Sequence, residues 1–122
     1  MTSVQEKQGD AAILVENITG PMHGQALELA ENVLFMADRL KETRRKAARM
    51  DLVIPYDNGG GQTGVRKNPI FEAYAQIFAQ YSKGLGQLTE MVEAAGGAKP
   101  QAATKLAELR LVTGNIGKAR EA

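Results

Sequence analysis

The segment Gly59-Gly60-Gly61-Gln62-Thr63-Gly64 carries the letters G-x-G-x-x-G of a dinucleotide-binding turn. That chemistry needs a strand before the glycines, a helix opening at them to meet the pyrophosphate, and a parallel strand whose acid holds the ribose. Here a helical pattern precedes a short strand-like run, and no apolar strand follows the next helical pattern. A phosphate loop fails too, because Val65-Arg66 stands where Lys-Ser/Thr would hold phosphate and magnesium. The glycines are therefore expected to serve a turn that needs positive φ, and no cofactor is expected.

Catalytic groups are equally sparse. His23 is the sole imidazole, has no partner nearby in sequence, and reads as a surface residue. Ser3 and Ser82 lack a visible base. Glu28 and Glu31, like Glu90 and Glu93, are spaced three apart on helical turns, where solvated faces are far commoner than metal or acid/base pairs. The absence of cysteine removes thiolate chemistry, thiolate zinc sites and disulfides, and fits a reducing compartment such as the cytoplasm. Nothing here assembles a catalytic or metal site, so the chain is expected not to be an enzyme.

Charge is the more informative chemistry. The net charge is only +1, yet residues 1–38 set Lys7 against Glu6, Asp10, Glu16, Glu28, Glu31 and Asp38, whereas residues 39–49 set Arg39, Lys41, Arg44, Arg45, Lys46 and Arg49 against Glu42 alone. One reading is a solvated helix end whose cations complement the C-terminal dipole while acids occupy the first turns. The density exceeds what a dipole needs, and Arg66-Lys67 returns to the same end if the flanking helices form a hairpin. Arg39, Lys41, Arg45, Lys46, Arg49, Arg66 and Lys67 are thus the candidate phosphate contacts, giving salt-sensitive affinity with little sequence readout. Arg44, one turn beyond Leu40, instead edges the apolar seam.

The elements that must carry these charges are mostly helical. A 122-residue chain with 43% hydrophobic residues, few aromatics and no Trp favours helix packed on helix in one domain. From Gly24 to Met50 the apolar residues recur at three and four, with Ala26, Val33, Leu40 and Ala47 seven apart, as in a coiled-coil seam. Leu52-Val53-Ile54-Pro55-Tyr56, the glycines and Gln62-Thr63-Gly64-Val65 predict a small β-hairpin or ordered loop, short, twisted or open at Pro55. Asn68-Pro69 caps a second long helix that ends at Gly96-Gly97. Gly84 and Gly86 in its middle predict a close helix contact or a bend.

The apolar faces supply Val33, Met36, Leu40, Tyr74, Phe78, Tyr81 and Leu88 as candidates for core or subunit interface, the aromatic spacing arguing against a base-stacking platform. A third helix starts at Lys99-Pro100 and breaks at Thr113-Gly114, with 118–122 frayed. The expected fold is thus mainly all-α: a long antiparallel helical hairpin with a short β-hairpin or glycine-rich loop at its tip, plus a short C-terminal helix. Its expected divisions are a flexible arm over 1–22, the hairpin over 23–97 with its connection at 51–67, and a C-terminal helix and tail over 98–122. No signal peptide or membrane-length apolar run is expected to change this assignment.

The order long helix, basic end, Val53-Ile54-Pro55-Tyr56-Asp57-Asn58-Gly59-Gly60-Gly61-Gln62-Thr63-Gly64, Arg66-Lys67-Asn68-Pro69 and second long helix resembles phage terminase small subunits, across roughly Glu31 to Gly97. Many members continue with a Leu-Gly-Leu-Thr-Pro-like turn and a following Arg; Ala95-Gly96-Gly97-Ala98-Lys99-Pro100 keeps the glycine and proline without the leucines or that arginine. The resemblance implies a non-catalytic, ring-forming homo-oligomer of a DNA-packaging motor in the host cytoplasm. It would recognise duplex viral DNA and present it to the large subunit, which carries the ATPase and nuclease. The competing class is a helical-hairpin protein–protein interaction module without nucleic-acid contact, whose basic end docks an acidic protein surface.

Overall fold

The computed structural model describes residues 4–59 and 62–112. It contains helix α1 (Val4–Leu14), a 3-10 turn (Gly20–Met22), helix α2 (His23–Ala47), strands β1 (Val53–Gly59) and β2 (Gln62–Lys67), and helices α3 (Pro69–Ala94) and α4 (Pro100–Val112). The mainly helical hairpin expected from the periodicity is present. The expected break at Thr113-Gly114 and fraying at 118–122 lie outside the described residues. Among those described, no helix is long and apolar enough to cross a membrane.

Helices α2 and α3 pair along their length because each keeps one apolar stripe. On α2 the seven-residue series Ala26, Val33, Leu40 and Ala47 is buried, and Ala30 and Ala37 fill the parallel series beside it. On α3 the buried residues are Tyr81, Gly84, Leu85, Leu88 and Val92. Of the interface candidates, Val33, Leu40, Tyr81 and Leu88 are fully buried within the single chain, so they leave no surface for a neighbouring subunit. Met36, Tyr74 and Phe78 are half-buried against that core, with the Tyr74 and Phe78 ring centroids 6.2 Å apart.

Gly84 shows why a helix-weakening residue sits mid-helix. A Cβ there would meet Val33 Cγ2 at 3.3 Å and Met36 Cε at 3.4 Å, so the glycine permits close approach of α3 to α2. Gly86 has nothing within 4 Å of such a Cβ and makes no comparable contact.

The N-terminal segment departs from the expected mobile arm. Ala11, Leu14, Val15 and Ile18 are buried in the same core as Leu106, Leu109 and Val112 of α4, because their spacing of three and four gives α1 and its exit an apolar stripe. α1 lies against α2 and α4. Asp10 pairs with Lys105 at 2.9 Å across the α1–α4 contact, and Asn17 Nδ2 donates to the Gly97 carbonyl. Tyr81 Oη donates to the Leu109 carbonyl at 2.7 Å, joining α3 to α4, and burial pushes its phenol pKa up.

The helix ends are closed by the residues that predicted them. At the end of α3, Gly97 N–H donates to the Val92 carbonyl and Gly96 N–H to the Glu93 carbonyl, a Schellman pair made possible by Gly96 at φ +106°. At the start of α3, Asn68 Oδ1 accepts from the Ile70 N–H at 3.1 Å. Asn68 Nδ2 also donates to the Asp51 carbonyl at 3.1 Å, and its main-chain N–H donates to the Leu52 carbonyl at 2.8 Å. One buried residue therefore holds the end of the α2 segment, the root of the ribbon and the first turn of α3 together, through its side chain and its main-chain N–H.

β1 and β2 are antiparallel, with Val53 opposite Lys67, Ile54 opposite Arg66, Pro55 opposite Val65, Tyr56 opposite Gly64 and Asp57 opposite Thr63, and an irregularity between Asp57 and Gly59. The strands pair with each other and with no helix to a comparable extent. Of the short, twisted or open ribbon expected at Pro55, the open alternative is not the one adopted, since Pro55 keeps its place opposite Val65. The bond from Asn68 to Leu52 sets the hydrogen-bonding parity, so alternation puts Ile54 and Tyr56 in bonded pairs and turns the Pro55 nitrogen to the outer edge, where no ladder donor is needed.

Candidate nucleic-acid interface

The C-terminal end of α2 carries Arg44, Arg45 and Lys46 in its last turn, where cations complement the partial negative charge of the terminal carbonyls. The dipole reading is incomplete at the other end, because the first turn of α2 holds no acid. Past Ala47 the chain continues in a turn, with Arg49 N–H donating to the Lys46 carbonyl and Met50 N–H to the Ala47 carbonyl. This turn brings Arg45, Lys46 and Arg49 together with Glu42 and Met50 around one shallow groove.

Helical geometry separates the basic run into two faces. At about 100° per residue, Arg39, Glu42, Arg45 and Lys46 lie away from the buried stripe, while Lys41 turns toward its edge and Arg44 falls in line with it. Arg39 Nη1 donates to Glu42 Oε1 at 3.1 Å, and the Lys46 ammonium is 3.7 Å from the same oxygen. The Arg39 guanidinium also lies 5.4 Å from the centroid of the Phe35 ring. These exposed pairs orient side chains more than they stabilise the fold. Four cations on this face, Arg39, Arg45, Lys46 and Arg49, thus stand against Glu42 as the acid between them.

Lys41 does not join them. It lines a cleft with Asp10, Asp38, Lys105 and Glu108, between α1, α2 and α4, apart from the outer groove. Arg44 is also diverted. It follows Ala30 and Ala37 at seven-residue intervals on the buried stripe, and its guanidinium donates to the Val112 carbonyl at the end of α4 at 3.1 Å. Periodicity alone puts Arg44 at the seam; its partner is a main-chain carbonyl, which no side-chain pattern announces.

On the ribbon, Arg66 and Lys67 are both exposed and, as consecutive strand residues, point to opposite faces. The Asn68 clasp roots β2 beside Met50 and Asp51, and so brings these two cations to the same end of the molecule as Arg45, Lys46 and Arg49. Apolar side chains are exposed at this end too: Met50, Leu52, Val53 and Val65. The geometry suits a polyanion laid against the end of the hairpin and held by side chains that remain hydrated when unoccupied.

The turn expected of the triple glycine falls on Gly60 and Gly61, which lie outside the described residues; on either side of them, Gly59 ends β1 and Gln62 begins the antiparallel β2. His23 donates through Nδ1 to the Ile18 carbonyl at 2.8 Å, a contact that fastens the entry to α2. Among the described residues, no group of three or more His, Cys, Asp or Glu side chains is arranged to hold a metal ion. No family model, curated protein or solved structure matches the chain.

Proposed function

We propose that this chain is a non-catalytic, oligomeric DNA-binding subunit of a viral DNA-packaging motor, which recognises phage DNA in the host cytoplasm and presents it to the large ATPase/nuclease subunit. The observation that carries the reading is the gathering of Arg45, Lys46 and Arg49 with Arg66 and Lys67 at one end of the hairpin through the Asn68 clasp. The resemblance of residues 31–97 to terminase small subunits supports the same reading and supplies its biological setting. Arg39 and Lys46 contribute after loosening from Glu42, whereas Lys41 faces the α1–α4 cleft and contributes little.

Gel-shift titration of duplex DNA at two salt concentrations tests this directly. Affinity should fall steeply as salt rises, and the double charge reversal Arg45→Glu/Lys46→Glu should weaken binding at low salt and reduce the logarithmic salt slope by about two or more. Binding that ignores salt, or no binding at low salt by the assembled oligomer, would sink the proposal.

The exposed Met50, Leu52, Val53 and Val65 beside the cations favour a second reading, an interaction module whose basic end docks an acidic protein surface. Loss of a protein complex on the same charge reversal, in a chain without DNA affinity, would establish that reading instead.

A further inference from the structure

Among the described residues, the β1–β2 ribbon is held mainly by the pairing of its own two strands. A two-stranded ribbon is marginal in water unless more strands or a helix cover it, yet this one packs against no helix to a comparable extent. The face shared by Val53, Pro55 and Val65 is open, with Val53 49% and Val65 69% exposed.

Its two edges are not equivalent. On β1 the outward-facing position between Val53 and Asp57 is Pro55, so that edge lacks a donor where an incoming strand would need one. On β2 the same parity directs the main-chain groups of Thr63, Val65 and Lys67 outward, and none is proline. One edge is blocked and the other is complete.

We infer that the β2 edge pairs antiparallel with the β2 edge of a second copy of this chain, about a two-fold axis at Val65. In this register Val65 faces Val65 of the second copy and Thr63 faces its Lys67, which puts the outward-directed groups of both strands into the bonded positions. Arg66 falls opposite Gly64, so no cation directly opposes another. Pro55, Val65 and their two symmetry mates form one continuous apolar row across four strands. Pairing of β2 with the β1 edge of a neighbour, which would propagate head to tail, is disfavoured by Pro55. The contact is smaller than the about 1,200 Å² of a standard stable interface, so it acts at high concentration or beside another contact. It uses the outer edge of β2, which carries Arg66 and Lys67, rather than the groove of Arg45, Lys46 and Arg49, and requires no nucleic acid.

Light scattering on the full chain without DNA, in a concentration series up to about 1 mM to capture a small interface, tests the pairing. The wild-type mass should reach an even multiple of the 13.1 kDa chain, and Val65→Pro should halve it. That substitution removes the outward donor but leaves the β1 ladder intact, as Pro55 does on its own strand. Because the chain lacks cysteine, Val65→Cys gives a second readout independent of how well the proline variant folds. Paired α-carbons at this position lie about 5.5 Å apart, within the span a disulfide bridges, so mild oxidation should yield at least about tenfold more covalent dimer than Val53→Cys, which lies on the inner side of the same face. Unchanged mass for folded Val65→Pro, or no excess dimer for Val65→Cys, overturns the inference. So does a loss of DNA affinity in Val65→Pro at unchanged mass, which would assign the edge to nucleic acid.

Discussion

The bundle and the ribbon use similar apolar residues to opposite ends. In the bundle, Leu40, Val33 and Leu88 are fully enclosed, and the Tyr81 hydroxyl reaches a carbonyl. In the ribbon and its root, Leu52, Val53 and Val65 stay exposed while backbone pairing and the Asn68 clasp maintain shape. The difference teaches that stability resides in the helices, and that the ribbon is a surface held out from them. Substitutions should therefore separate stability from binding according to region.

The widest separation should come from leucine truncation. Leu88→Ala removes a fully buried side chain and should cost about 2–5 kcal/mol, whereas Leu52→Ala, at 71% exposure, should change stability by less than about 0.5 kcal/mol. Urea denaturation of both variants measures the gap; equal losses would mean that the ribbon belongs to the cooperative core.

Tyr81→Phe should cost about 1–3 kcal/mol, because the Leu109 carbonyl loses its side-chain donor inside the bundle. The titration has a definite sign. A phenol whose pKa is raised by folding contributes stability that is complete below the unfolded value, about 10, and is lost as pH rises beyond it. Wild-type stability should fall above that pH more steeply than that of Tyr81→Phe, as thermal melts across the alkaline range can show.

Asn68→Ala lies at the border of the two regions and should cost about 1–2 kcal/mol through loss of the cap on α3. It should also increase hydrogen exchange at the Ile70 amide and in β2, since the same side chain fastens the ribbon root. Protection unchanged in the ribbon would show that the clasp serves α3 alone.

The smallest effects should come from the two mid-helix glycines. Gly86→Ala should stabilise by about 0.5–1 kcal/mol, because nothing occupies the space its methyl would enter. Gly84→Ala should gain less or lose stability, since the stiff Val33 side chain must yield. A pair of melting curves ranks them; an equal gain at both positions would remove the close-contact role of Gly84.

Much of the bundle was readable because it depends on local periodicity and local end chemistry. Ala26, Val33, Leu40 and Ala47 announced the α2 stripe, and Asn68-Pro69 and Gly96-Gly97 marked the bounds of α3. The packing of α1 was not readable from residues 1–22, because Leu14 and Val15 are covered by a helix almost a full chain length away. The site was legible as a charge density but not as a set. Sequence grouped Lys41 with Arg45, while helical rotation sends Lys41 toward Asp38 and Glu108. At Pro55 the sequence leaves a short, twisted or open ribbon as alternatives because residue type does not reveal hydrogen-bonding parity; that follows only from the register.

Asn68 also bears on mechanics. Its amide group bolts the departure of one long helix to the beginning of the other, directly beneath the projecting strands. A pull on those strands therefore loads α2 and α3 together, through a joint near the root rather than through a slack tether. Whatever grips the ribbon has leverage on the whole hairpin.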